Sequence, residues 1–153
     1  MTDRQKAGDK PRYIGNGTVT SFTDGASRGN PGPSACAFVI CSGEDLVHEE
    51  GSFIGTATNN IAEYHAVIHC LLWLTGTMHG RVEIVSDSEL VMRQITGAYS
   101  VKQPHLRKLY DDVKHLELSF LSVTYRAVPR DHPGIHRADE LCNLALDEAL
   151  HRI

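Results

Sequence analysis

The sequence predicts an α/β domain: a five-stranded mixed sheet, three antiparallel strands plus two parallel, flanked by helices. Two observations carry this. Three strand-like segments follow one another between residues 18 and 54 with only short turns between them. Beyond them, segments of helical period alternate with two further strand-like runs. Strands joined by tight turns pair antiparallel, whereas strands reached across a helix pair parallel and need helices on the sheet faces.

Each element has its own signal. "TVTSFTDGAS", residues 18–27, is rich in Thr, Val and Phe and reads as the first strand. "PGP" then breaks the chain before "SACAFVICSG", residues 34–43, the second strand. "GED" turns it into "LVHEEGSFI", residues 46–54, closing an antiparallel meander. In "TATNNIAEYHAVIHCLLWLTGT" the apolar positions Ala62, Ala66, Cys70 and Trp73, flanked by Val67, Leu71 and Leu74, recur at helical spacing. "RVEIVSD", residues 81–87, is a nearly continuous apolar run and predicts a strand buried on both faces. "SELVMRQITG" predicts a short helix ended by Gly97, and "HLRKLYDDVKHLEL" a longer one. "LSVTYRAV", residues 121–128, is the fifth strand. A last helix is expected from about Ala138 onward, with a stripe of Leu141, Cys142, Ala145, Leu146, Ala149 and Leu150.

The chain has 153 residues, enough for one domain with a real core. We expect a loose tail over residues 1–16 and a single domain over residues 17–153. The longest apolar stretch, "AVIHCLLWL", contains a His and falls far short of the ~20 residues of a membrane span, so no membrane partner is expected. The polar N-terminus carries no secretion signal core. The cysteines, Cys36, Cys41, Cys70 and Cys142, form no C-x-x-C pair and read as four buried thiols in a reducing, cytoplasmic compartment. Cys36 and Cys41 lie five apart, so a strand points them to opposite faces. The formal net charge of −4 counts at first sight against a nucleic-acid binder. Binding depends on local patches, however, and net charge averages over them.

Four carboxylates stand at the ends of elements. Asp24 ends the first strand and Asp87 the fourth, where open α/β sheets usually bind ligands. Glu63 lies in the first turn of the long helix and heads its core-facing stripe, four residues before Val67 and eight before Leu71. Asp139 opens the expected last helix, three residues before Cys142. Converging like charges repel and burial adds desolvation cost, so folding alone does not favour such a group. A divalent cation does, because Mg²⁺ takes hard oxygen ligands. Two such ions about 3.5–4 Å apart can activate a water and stabilise a leaving oxygen at a phosphodiester. Each acid also has an ordinary reading. Glu63 has the spacing of a capping-box partner to Asn60; Asp139 suits a helix dipole; "DG" at Asp24 is a turn pair; Asp87 or Ser86 could cap a helix.

The wording around the acids is more specific. "TDGASRGNPGP", "TNNIAEYHAV", "IVSDSELVMRQITG" and "HRADELCNLAL" occur in this order. Together they resemble type 1 ribonuclease H, which cuts the RNA strand of RNA–DNA hybrids, over nearly all of residues 18–150. The resemblance implies a ribonuclease H-like sheet and casts Asp24, Glu63, Asp87 and Asp139 as ligands of two Mg²⁺ ions, with Mn²⁺ a possible substitute and Asp24 bridging both. It implies a metal-dependent endonuclease that leaves 5′-phosphate and 3′-hydroxyl ends. It places Asn30 and Asn59 at the RNA minor groove, where the 2′-hydroxyl distinguishes RNA, and Thr58 near a DNA phosphate. Double-stranded RNA and RNA–DNA junctions are further candidate substrates, a non-cleaving binding module is the alternative function, and a monomer is expected.

The sequence also departs from the family. The family's mobile His before the last acid is matched best by His132, with His136 the alternative. The Asn often found four before that acid is replaced by Ile135. No basic, Trp-containing handle follows the short helix; only "AYSVKQP" separates the two helices, so the chain is similar to the compact branch. Lys102, Arg107 and Lys108 are the nearest substitute for the handle, against the plain reading of a solvated helix face. Setting aside the four acids leaves the remainder neutral, compatible with a phosphate-backbone substrate. His65 and His69, an i, i+4 pair without an H-E-x-x-H motif, read as packing or solvent residues rather than a zinc site. His132 and His136, separated by Pro and Gly, are not expected to form a helical zinc pair.

Overall fold

A computed structural model describes residues 17–151 of the chain. The expected tail, residues 1–16, lies outside the described residues. The elements are β1 (Thr18–Ser27), β2 (Gly32–Ser42), β3 (Asp45–Ala57), α1 (Asn59–Thr75), β4 (Arg81–Ser86), α2 (Glu89–Ile95), α3 (Pro104–Glu117), β5 (Ser122–Ala127) and α4 (Pro133–Leu150). The strands form one sheet in the order β3-β2-β1-β4-β5. β1–β2 and β2–β3 pair antiparallel, and β4 pairs parallel with both β1 and β5. The mixed sheet is the one the sequence predicts.

Period-two alternation splits β2 between two cores. Phe38 and Ile40 face a large core with Val67, Leu71 and Leu74 of α1, Ile84 of β4, and α2 and α3 beyond. Ala35, Ala37 and Val39 face a smaller core with Ala138, Cys142 and Leu146 of α4. Cys36 and Cys41 sit on opposite faces as expected, Cys36 beside His69 of α1 and Cys41 against the smaller core, and Cys41 is only half-buried. No helix among the described residues is long and apolar enough to cross a membrane.

One boundary needs correction. α4 begins at Pro133, five residues before the expected start. "HPG" looks like a breaker, yet Pro is at home in the first helical turn, where its missing N–H has no helical partner. His132 caps the helix, its Nδ1 accepting from the Gly134 N–H at 3.1 Å. Asp139 therefore lies in the second turn, and first-turn dipole stabilisation does not explain it. The His136 N–H donates to the His132 carbonyl at 2.9 Å, closing the first turn on its cap.

Candidate active site

Parallel pairing of β1 with β4 ends at Phe22 and Val85, while β1 runs on to Ser27 along β2. Asp24 thus stands where β1 outruns its parallel neighbour, within a strand rather than a turn. Asp87 follows the end of β4. Helix capping does not claim it: the Ser88 hydroxyl accepts from the Val91 N–H, and Ser86 accepts from the Ser88 N–H.

Glu63 reaches the same place from α1. The capping-box reading fails, because Thr58 is the N-cap, its hydroxyl accepting from the Ile61 N–H at 3.2 Å. Glu63 lies a turn further on and accepts from the Gly25 N–H at 3.0 Å. Gly25 makes this approach possible, since a Cβ there would collide with the Ala62 and Glu63 backbone.

One carboxylate oxygen from each of Asp24, Glu63 and Asp87 lies within 4.8 Å of the others. Asp139 is outside this tight group but lines a cavity of about 530 Å³ together with Asp24 and Asp87. A second cavity, about 510 Å³, opens on the other side past Asp24, Glu63, Asp87, Asn59 and Asn60. Asp24 is only 4% exposed. Burial, then the charges of Asp87 and Asp139, push its carboxyl up to about 7. Burial and the charges of Asp24 and Asp87 raise Glu63 well above the usual carboxylate range, against the Gly25 hydrogen bond. The donors are hard oxygens, crowded, mutually repelling and partly desolvated. That set fits a divalent cation, which would relieve each of these costs.

Arg130 was not foreseen. It follows β5, its Nε lies 3.4 Å from Asp87 Oδ2, and it lines both cavities. Its only sequence signal was a cation in the loop before the last acid. The two histidines take different places. His132 packs its ring on Phe22 at 5.2 Å and serves as the cap, whereas exposed His136 lines the cavity with the acids. Ile135, standing where the family often has Asn, is buried beside them.

Asn30 and Asn59 meet: the Asn59 N–H donates to Asn30 Oδ1 at 3.0 Å, and Asn59 Oδ1 accepts from the Ser27 N–H at 3.1 Å. Lys102 is exposed; Arg107 and Lys108 pair with Asp111 and Asp112 along α3, the pattern of a solvated helix face. His65 and His69 form an edge-on ring pair at 5.9 Å, and His69 Nδ1 meets the buried Cys36 thiol at 3.4 Å. They lie outside the acid group.

A family model described as reverse transcriptase-like matches residues 22–145. The chain is 42% identical over 134 residues to ribonuclease HI of Halobacterium salinarum, spanning 87% of this chain and 66% of that protein. It is 38% identical over 133 residues to a bifunctional protein of Mycobacterium tuberculosis, spanning 86% of this chain but 36% of that protein. The chain thus spans two thirds or less of the length of these curated relatives. Among solved structures, LC11-RNase H1 in complex with an RNA/DNA hybrid superposes with a TM-score of 0.79 at 36% identity, over 86% of this chain and 99% of that one.

Proposed function

The chain belongs to the ribonuclease H family, and from that premise we propose that it hydrolyses the RNA strand of RNA–DNA hybrids as a metal-dependent endonuclease. The observation that carries this is the group of Asp24, Glu63 and Asp87 oxygens within 4.8 Å, flanked by two open cavities.

Asp24, Glu63, Asp87 and Asp139 would hold two Mg²⁺ ions, with Mn²⁺ an acceptable substitute. When bound, such ions activate water and stabilise the leaving 3′ oxygen, so that cleavage leaves a 5′-phosphate. Asp24, central and buried, would be a ligand on both the Glu63 side and the Asp139 side of the group. Glu63 is held by the Gly25 N–H, so its oxygens need little reorganisation when a cation arrives. Asn59 lines the Glu63-side cavity and Asn30 is bonded to it, a polar pair suited to the 2′-hydroxyl-bearing strand. Thr58 caps the helix beside them, close to where a backbone phosphate would pass. Arg130 offers a cation to the same phosphate path, and His136 is better seated than His132 to exchange protons or assist product departure. The four free thiols fit a reducing compartment and hence a cytoplasmic location.

The test compares hybrid, RNA duplex and DNA duplex in one assay, with Mg²⁺ and then EDTA. Hybrid should be cut only with metal, and Asp24→Asn should lower the rate by roughly 10³-fold. Intact hybrid that merely shifts in mobility would make the chain a binding module. An Asp24→Asn protein cutting at the wild-type rate would remove the site assignment.

A further inference from the structure

The turn between β1 and β2 carries Asn30, yet nothing apolar holds its tip. Arg28, Gly29, Asn30 and Pro31 are all exposed. Within the turn, the Arg28 N–H donates to the Pro33 carbonyl at 2.8 Å, and Gly29 takes a φ of 99°. Two side chains hold it outward: Asn30 Oδ1 accepts from the Asn59 N–H of α1 at 3.0 Å, and Arg28 reaches α4. Arg28 Nη2 lies 2.7 Å from Asp147 Oδ1 and 3.2 Å from Asn143 Oδ1, both on α4 and more than a hundred residues away in sequence. Asn143 is itself oriented, its Nδ2 donating to the Asp139 carbonyl at 3.1 Å. Its oxygen is thereby left to face the guanidinium.

We propose that Arg28 is a positioning residue: it straps the β1–β2 turn to α4 and so fixes the Asn30–Asn59 pair against the helix that carries Asp139. The proposal rests on the reading that this pair receives the substrate strand. A planar guanidinium can serve two acceptors at once, which a lysine ammonium on a flexible stem does less well. Because the guanidinium is already committed to α4, it acts through the turn rather than on substrate.

A strap and a direct phosphate contact differ in sign at Asp147. If Arg28 is a strap, losing either end loosens the turn. If Arg28 touches phosphate, losing Asp147 frees it to bind better. Steady-state hybrid cleavage should therefore be measured for Arg28→Ala, Arg28→Lys, Asp147→Asn and the Arg28→Ala/Asp147→Asn double variant. Amide exchange at Ser27 and Asn59 should be read on the same proteins without substrate. We expect Arg28→Ala and Asp147→Asn each to raise KM about threefold with little change in kcat, as suits a half-exposed ion pair. The double variant should be no worse than the singles, and Arg28→Lys should recover part of the loss. Exchange at Ser27 and Asn59 should quicken in both singles. An unchanged or lowered KM in Asp147→Asn, or unaltered exchange at Asn59 in Arg28→Ala, overturns the strap. A wild-type protein that cuts no hybrid overturns the functional reading instead, while exchange still decides the strap.

Discussion

The two faces of the sheet each deliver an acid to the same place, but they hold it differently. On the α1 face, a broad core of large side chains, among them Leu71, Leu74, Ile84 and Ile95, is sealed from water. Glu63 rides on that face and joins the tight group of oxygens. On the α4 face, the core is small and built largely of Ala35, Ala37, Ala138 and Cys142. α4 is instead tied down by polar contacts: Arg137 to Glu49 at 2.7 Å, Arg28 to Asp147, and the Cys142 thiol to the Asp24 carbonyl at 3.4 Å. Asp139 rides on this thinner face and stays at the cavity wall, outside the tight group. A large close-packed interface leaves few alternative positions, whereas a narrow one held by ion pairs tolerates small shifts. The difference sets Glu63 inside the tight group above the broad core and Asp139 at the cavity wall above the narrow one.

The largest test of that contrast is catalytic. Glu63→Gln should lower kcat/KM for hybrid by roughly 10²–10³-fold at saturating Mg²⁺. Asp139→Asn should cost less, about 10–100-fold, because its carboxylate stands at the cavity wall outside the tight group. Equal losses would place the two acids on the same footing.

Stability separates the faces next. Leu74→Ala should open a cavity in the broad core and cost about 2–5 kcal/mol in urea unfolding. On the α4 side the failure is overpacking: Ala37→Leu should cost about 1–3 kcal/mol by pushing α4 outward, with loss of activity through Asp139. An Ala37→Leu protein of wild-type stability would show that the small core has slack.

The smallest effect is electrostatic. Asp24 is raised to about 7 from an ordinary value near 4, and Glu63 is raised too. The folded state therefore binds more protons than the unfolded chain across that window. Metal-free protein should lose stability as pH rises from about 4 to about 7, and Glu63→Gln should blunt the loss. Millimolar Mg²⁺ at pH 8 should raise Tm by a few degrees by mass action, less in Asp24→Asn. A Tm that climbs through that pH window without metal would contradict the raised carboxyls.

Much of this was legible in the sequence, and the omissions have causes. β1 and α1 were readable because Thr, Val and Phe mark a strand and the apolar spacing marks a helix. The start of α4 was missed because Pro133 and Gly134 interrupt a helical pattern on paper, although both fit its first turn. That His136 rather than His132 lines the cavity was hidden for the same reason, since the two are four residues apart at the start of that helix. Arg130 was invisible because a cation in a loop means little until the loop is seen to pass Asp87.

What the sequence determined alone was the set of elements and their order, and it singled out four acids as candidates. Those follow from short-range periodicity and from motifs contained within single segments. Only the tertiary structure decided which three oxygens crowd together, which acids are pushed above the usual carboxylate range and which histidine faces the cavity. Those depend on contacts such as Gly25 with Glu63, 38 residues apart, and Asp24 with Cys142, 118 apart. Distances across such separations arise from packing between elements, which no local pattern encodes.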